Sequence, residues 1–109
     1  MVAPTRGSVA LVPFPFSDLS QAKLRPAVVL ADAGKGDWIL CQVTSRPYGD
    51  DRAIPIDEPD FQSGGLRMTS YARPGKLFTA HATLLQAEAG QLNAAAFARV
   101  RAGVLDVLG

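Results

Sequence analysis

Residues 23–46, KLRPAVVLADAGKGDWILCQVTSR, decide the fold of this chain. They contain two apolar runs, residues 26–31 and 38–43, whose Val, Ile and Leu residues favour β-strands. The segment between the runs contains two glycines, which can adopt the positive φ angles of a hairpin turn. We therefore predict a β-hairpin whose turn is centred on Gly34 and Lys35.

The predicted hairpin has one wholly apolar face, because side chains alternate along a strand. The facing pairs on it are Leu30 with Ile39, Val28 with Cys41, and Pro26 with Val43. At the open end of the hairpin, the same register sets Arg25 opposite Thr44. We expect these two polar side chains to lie side by side, which makes them the first candidates for a functional site.

The rest of the chain predicts a mainly-β domain with a terminal helix. Further strands are predicted at residues 8–13, 53–56, 66–71 and 76–82, with a turn at residues 73–76. Pro55 favours an edge position for its strand, because proline cannot donate to a ladder. From Asn93, a suitable N-cap, apolar residues recur at helical spacing to Leu108. The expected product is one domain, residues 1–109, built as a small, curled antiparallel β-barrel with the helix packed on one side.

Composition limits the classes of function. The chain has 109 residues and a formal net charge of only +1, so any nucleic-acid binding must come from a local patch. The one cysteine, Cys41, cannot form an internal disulfide, and we expect a reduced, cytoplasmic setting. We expect no membrane association, because no apolar run approaches the length of a membrane span. We also expect no metal and no cofactor, since no His/Cys cluster or glycine-rich phosphate loop is present.

About ten residues connect the first strand to the hairpin, and a loop of this length is often functional. Two aromatic residues, Phe14 and Phe16, lie at its start. They could stack on nucleotide bases or fold back to cover the core. The sequence leaves both interpretations open.

Four segments, RGSVALVPFPFSD, KLRPAVVL, ILCQVTS and GLRMTSYARPGKLFT, resemble the PemK/MazF family of type II toxins in their order and spacing. The resemblance extends from Arg6 to about Leu108. It implies an SH3-like barrel that forms a homodimer and cleaves single-stranded RNA, including mRNA, without a metal. It also implies a cognate antitoxin protein as partner, with DNA contact only through the antitoxin complex.

The resemblance assigns catalytic roles to Arg25 and Thr44. Arg73 matches a basic residue that helps to place the scissile phosphate in some members. The candidates for RNA binding are Phe16, Lys23, Ser45, Arg46, Arg73 and His81. The sequence departs from the family where Gly75 stands in place of an acidic residue that some members use in cleavage.

Metal-free cleavage uses the 2′-hydroxyl of the RNA as nucleophile, so the enzyme must orient it, stabilise phosphoryl charge and move protons. The guanidinium of Arg25 suits phosphate binding, and Thr44 can donate a further hydrogen bond. Which group moves protons stays open between Arg25 and His81, because arginine rarely gives up its proton and histidine titrates near neutrality. His81 could equally be a surface or partner contact, and Arg73 a solvated turn residue.

Two other functions remain open. One is a non-catalytic toxin on the same barrel, like CcdB, which acts by binding DNA gyrase. The chain ends in residues 105–109, LDVLG, without the aromatic terminus that we expect of that group. The other is a family member that binds RNA and has lost cleavage.

Overall fold

The structure is a computed structural model that describes residues 3–14 and 23–109. Within these residues the chain forms seven strands, two short 3-10 helices and one α-helix. The strands are β1 (Ser8–Phe14), β2 (Lys23–Gly34), β3 (Asp37–Thr44), β4 (Ile54–Ile56), β5 (Phe61–Gly64), β6 (Ser70–His81) and β7 (Ala87–Leu92). The 3-10 helices are Glu58–Asp60 and Ala82–Leu84, and the α-helix is α1 (Ala94–Leu108).

All strand pairs are antiparallel and form one sheet in the order β4-β6-β3-β2-β1-β7-β5. The strand that contains Pro55 lies at one edge, as predicted. The mainly-β fold with a curled antiparallel sheet and one C-terminal helix is therefore confirmed. No helix in the described part of the chain is long and apolar enough to span a membrane.

The central strands are apolar on both faces because the curled sheet buries both. Val28, Cys41 and Val43 lie on the face that α1 covers, where they pack with Val100 of the helix. Residues whose side chains point to the other face of the sheet form a second cluster, which comprises Ala10, Val12, Ala27, Val29, Leu40, Ala80 and Leu85. Burial on both faces explains why β2 and β3 read as continuous apolar runs.

The hairpin of β2 and β3 follows the predicted register only in its middle. Val28 lies opposite Cys41, as expected, but Ile39 lies opposite Ala31 instead of Leu30. The register shifts twice because β2 contains extra residues near its tip. The turn is consequently centred one position later than predicted, on Lys35 and Gly36, whose φ angles are 55° and 84°.

The predicted turn at residues 73–76 is wrong, because β6 runs through it as one strand. Opposite β3, Leu77 pairs with Cys41 and Ala72 pairs with Val43, so residues 73–76 form a wide bulge. Pro74 within the bulge is fully buried. A Cβ atom on Gly103 of α1 would lie 3.1 Å from Cγ of Pro74, so the proline is a packing contact for the helix.

Two strands were not predicted. The 57–65 segment, expected to be an acidic turn, contains the first 3-10 helix and β5, and β7 precedes α1. Both strands contain glycine and polar residues, which are weak strand formers. The predicted start of the helix is confirmed, because Oδ1 of Asn93 accepts a hydrogen bond of 2.8 Å from the backbone N–H of Ala96.

Candidate active site

A groove opens where β2 and β3 separate at the end of the hairpin away from the turn. The ladder between them extends to Ala27, which lies opposite Gln42. Beyond that pair, Arg25 lies opposite Val12 of β1, and Thr44 lies opposite Tyr71 of β6. The sequence predicted that Arg25 and Thr44 face each other in the ladder, and that prediction is wrong. Both residues nevertheless line the groove that forms between the two strand ends.

The groove has a volume of about 450 Å³. We call it the arginine groove, and it is lined by Arg25, Pro26, Gln42, Val43, Thr44, Ser45, Tyr48, Leu66, Arg67, Met68, Ser70 and Arg73. Three of these described residues are arginines and none is acidic. Even with Arg73 paired to Asp50 just outside the lining, the other two arginines make the groove a local patch of positive charge on a chain whose formal net charge is only +1.

The side chain of Arg25 is exposed at the edge of the groove. It makes no hydrogen bond or ion pair with any residue in ranges 3–14 and 23–109. None of the described residues therefore competes with a phosphate group for its planar guanidinium, whose shape suits a fork onto phosphate oxygens.

Thr44 closes a local turn at the end of β3. Its hydroxyl donates a hydrogen bond of 3.1 Å to the carbonyl oxygen of Arg46 and accepts one of 3.1 Å from the backbone N–H of Arg46. A hydroxyl has one proton and two lone pairs. Thr44 must therefore turn its proton away from the carbonyl of Arg46 to donate to a ligand in the groove, while the bond from the N–H can persist.

Arg73 lies in the bulge of β6, and its guanidinium is anchored rather than solvated. Its Nε atom donates a hydrogen bond of 3.0 Å to Oδ2 of Asp50, and its guanidinium carbon lies 5.8 Å from the ring centre of Tyr48. Both side chains of the ion pair are less than one-fifth exposed, at 19% for Arg73 and 17% for Asp50. Arg73 is thus held at the groove by its neighbours.

The other RNA-binding candidates are placed differently. Ser45 lines the groove. Arg46 is exposed just beyond it, and Lys23 is exposed two residues before Arg25 on the same face of β2. Phe16 lies outside the described residues. The groove thus brings together Arg25, Thr44, Ser45 and Arg73, and two further cations lie within two residues of its lining along the chain.

His81 is not part of the groove. It lies opposite Asp37, at the far end of β3 from Thr44, a separation on the order of 20 Å at the rise of an extended strand. Its Nδ1 atom accepts a hydrogen bond of 3.2 Å from the backbone N–H of Thr83, so it caps the second 3-10 helix. A role for His81 in RNA binding stays a prediction, and it would have to involve a surface distant from Arg25.

Two lining residues that could contact RNA, Arg67 and Tyr48, were not among the candidates from the sequence. Arg67 is an exposed residue in the connection between β5 and β6, and Tyr48 lies in the loop after β3. Arg67 was placed inside a predicted strand, so nothing marked it as a groove residue. The Pro-Tyr-Gly sequence around Tyr48 does indicate a turn, but only the folded chain shows that the turn brings the ring over Arg73.

The curled antiparallel sheet with one C-terminal helix is a MazF-like fold. Three of the solved structures that share this fold illustrate the similarity. MazF from Deinococcus radiodurans has a TM-score of 0.75 and 23% identity, covering 100% of this chain and 99% of that one. An endoribonuclease in complex with its cognate antitoxin, from a mycobacterial species, has a TM-score of 0.75 and 16% identity, covering 100% and 96%. The toxin MazF-mt6 from Mycobacterium tuberculosis has a TM-score of 0.71 and 15% identity, covering 93% and 95%.

No curated protein sequence matches the chain. Residues 5–108, however, match the family described as the PemK-like, MazF-like toxins of type II toxin-antitoxin systems. The chain belongs to this toxin family.

Proposed function

We propose that this toxin is a sequence-specific endoribonuclease that cleaves single-stranded RNA, including mRNA, without a metal. The observation that carries the proposal is the arginine groove, which Arg25, Arg73 and Thr44 line together; the one acidic side chain paired with these residues, Asp50, lies outside its described lining. Affinity for RNA comes mainly from phosphate contacts, and an arginine fork is well matched to a phosphodiester. Family membership supports the same activity.

In this proposal, Arg25 and Arg73 bind the non-bridging oxygens of the scissile phosphate. Thr44 donates a further hydrogen bond to these oxygens as their charge develops. The 2′-hydroxyl of the preceding ribose attacks the phosphorus, the bond to the 5′-oxygen breaks, and that oxygen takes up a proton. The protein accelerates this step by aligning the nucleophile and stabilising the phosphoryl charge.

The described lining of the groove contains no histidine or carboxylate, so its ionisable side chains are the three arginines and Tyr48. Of the two proton-transfer groups considered from the sequence, only Arg25 lines the groove. Because arginine keeps its proton, we propose that Arg25 acts chiefly on charge and orientation, and that solvent accepts and supplies the protons.

The proposed partners are a cognate antitoxin that covers the arginine groove and a second copy of the chain. A flexible acidic segment of the antitoxin complements the positive charge of the groove, so antitoxin and RNA should compete for it.

Exposed Leu105 and Leu108, beside an apolar recess between α1 and the sheet, support a homodimer. Light scattering should show the dimer at micromolar concentration, and a monomer there would contradict it.

The activity is tested by incubating the purified protein with a long single-stranded RNA and mapping the cut ends. Cuts at a short recurring sequence, suppressed by the antitoxin, are the expected result. Binding without cuts would instead indicate a family member that has lost cleavage. Absence of both, together with binding to gyrase, would indicate a toxin of the CcdB kind.

A further inference from the structure

The ion pair between Arg73 and Asp50 is the best shielded of the three ion pairs among the described residues. Its two side chains are 19% and 17% exposed, whereas the pairs of Arg52 with Asp106 and of Arg99 with Asp60 each include a side chain that is about half exposed or more. Shielding from water strengthens the attraction and reduces its screening by salt. The folded protein therefore fixes the orientation of the Arg73 side chain through its ion pair with Asp50.

Asp50 is itself held by the loop after β3. Its Oδ1 atom accepts a hydrogen bond of 2.9 Å from the backbone N–H of Arg52, and its own N–H donates one of 2.9 Å to the carbonyl oxygen of Pro47. The turn between Pro47 and Asp50 places Tyr48 at a φ of 55°, a conformation that is costly for a residue with a side chain. The loop is thus locally strained at Tyr48. In this conformation the Asp50 carboxylate contacts the Arg73 guanidinium, and the Tyr48 ring lies beside that guanidinium.

The two hydrogen bonds to the Asp50 carboxylate favour its ionised form. The Nε–H of Arg73, with the backbone N–H of Arg52 as a second donor, holds the pKa of the Asp50 carboxyl below its ordinary value. Each carboxylate oxygen has one of these donors. Asp50 is consequently ionised at neutral pH, where its negative charge faces Arg73.

Asp50 does not line the arginine groove, and its ion pair does not occupy the terminal nitrogens of Arg73. The ion pair uses Nε, and neither terminal nitrogen of Arg73 has a hydrogen-bond partner in the part of the chain that the structure describes. Two terminal nitrogens, with four N–H groups between them, can bind a phosphate from a guanidinium that is already oriented, with little further loss of side-chain freedom.

We propose that Asp50 is a positioning residue for RNA cleavage, which acts by holding Arg73 so that its terminal nitrogens face the scissile phosphate. This inference rests on the proposed endoribonuclease function. It distinguishes Asp50 from the neighbouring Asp51, which is exposed and makes no hydrogen bond or ion pair with the described residues.

The test compares Asp50→Ala, Asp50→Asn and the control Asp51→Ala, which matches the charge change of the first. In Asp50→Ala, kcat should fall roughly tenfold to a hundredfold, with a smaller change in KM, because a misplaced guanidinium weakens the transition state most. Asp50→Asn keeps one acceptor oxygen and should recover part of the loss. Asp51→Ala should cleave like the wild type.

Two readouts separate positioning from a general structural role. In the background of Arg73→Ala, the further change Asp50→Ala should have no effect on kcat, because Asp50 acts only through Arg73. In NMR spectra, the Nε–H of Arg73 should be protected from solvent exchange in the wild type and in Asp51→Ala, and should lose that protection in Asp50→Ala.

The outcomes also distinguish this inference from the proposed activity. If the wild type does not cleave RNA, the proposed function fails, while the NMR experiment still reports whether Asp50 holds Arg73. Wild-type kcat in Asp50→Ala would overturn the positioning role. An equal loss in the presence and absence of Arg73 would also overturn it, as would an unprotected Nε–H in the wild type.

Discussion

The Sγ atom of Cys41 donates a hydrogen bond of 3.0 Å to the carbonyl oxygen of Arg73. The cysteine belongs to the core cluster under α1, and the arginine lines the groove. This bond lies where β6 bulges away from β3, so it satisfies a carbonyl that the ladder leaves without its regular partner. One buried thiol thereby links the packing of the core to the backbone of a candidate active-site residue.

The first prediction concerns the ionisation of this thiol. Burial raises the pKa of Cys41 from 9.0 to about 12. Because the folded-state pKa is the higher one, the contribution to stability is complete below pH 9 and is lost as the pH rises from 9 towards 12. Relative to Cys41→Ala, the wild type should lose up to about 1.4 kcal/mol of unfolding free energy per pH unit in that range.

Denaturant unfolding of both proteins from pH 8 to 10.5, under reducing conditions, measures this difference. The comparison with Cys41→Ala cancels the titration of lysine and tyrosine residues, which both proteins share. A difference between the two proteins that does not change with pH would contradict the raised pKa. So would a native thiol that titrates near pH 9 by its ultraviolet absorbance.

The second prediction is that Arg25→Ala abolishes cleavage without affecting the fold. Arg25 is exposed and makes no hydrogen bond or ion pair with the described residues, so the unfolding free energy should change by no more than about 0.5 kcal/mol. Loss of its charge from the groove should lower kcat by roughly a hundredfold or more. Lys35→Ala, an equal loss of charge at the exposed hairpin turn, is the matched control and should retain activity. A melting temperature lowered as far as by Val28→Ala would instead make Arg25 structural.

The third prediction concerns the hydroxyl of Thr44. Thr44→Ala should lower kcat by about 100-fold to 1,000-fold, the usual effect of removing one donor from developing negative charge. Thr44→Ser retains the hydroxyl and its bonds to the backbone of Arg46, so it should keep most of the activity. Single-turnover cleavage of a short RNA measures both variants. Turnover of Thr44→Ala close to that of the wild type would remove Thr44 from the proposed mechanism.

How far the sequence predicted this site depends on which contacts are local. Val28 and Cys41 could be paired in advance, because two apolar runs around a turn leave few acceptable registers. The approach of Arg25 to Thr44 followed from that pairing, although extra residues in β2 moved the turn and the ladder stops before reaching them. The groove that both residues line therefore arises where β2 and β3 separate. The alternation of side chains along a strand does not predict such a separation.

The contacts that the sequence did not predict are nonlocal. Pro74 and Gly75 indicate a turn when read alone, but burial of Pro74 against α1 keeps β6 continuous. The strand β7 pairs with β1 and β5, and its residues have weak strand preference, so its formation depends on partners distant in sequence. The ion pair of Asp50 with Arg73 likewise joins two segments that no sequence motif connects.

The fourth prediction concerns Arg67, which the sequence did not mark as a candidate. It separates the arginine groove from a recess of about 190 Å³ that Asp57 and Glu58 line, so phosphates should bind on its groove side. Arg67→Ala should weaken binding of single-stranded RNA of any sequence. The slope of log K against log salt should become shallower by about 0.7, the value for one phosphate contact on a single strand. An unchanged slope, matching that of Lys35→Ala at the exposed hairpin turn, would place Arg67 outside the RNA path.

The last prediction concerns the nucleophile. If the 2′-hydroxyl attacks the phosphorus, deoxyribose on the 5′ side of the cut should abolish cleavage and leave binding nearly unchanged, because the phosphate contacts survive. Unmodified RNA should yield a 2′,3′-cyclic phosphate and a 5′-hydroxyl. EDTA should not affect the rate, since the proposed step uses only the ribose hydroxyl and the side chains of the groove.

Water activated by metal ions would reverse these results, because a deoxyribose could then be tolerated and chelation would stop the reaction. A chimeric RNA with one deoxyribose at the mapped cut, assayed for binding and cleavage with and without EDTA, distinguishes the two mechanisms. The control RNA carries its deoxyribose on the 3′ side of the cut, where the missing hydroxyl is not the nucleophile, and it should be cleaved. Cleavage of the first chimera, or loss of activity in EDTA, would refute the mechanism based on Arg25 and Thr44.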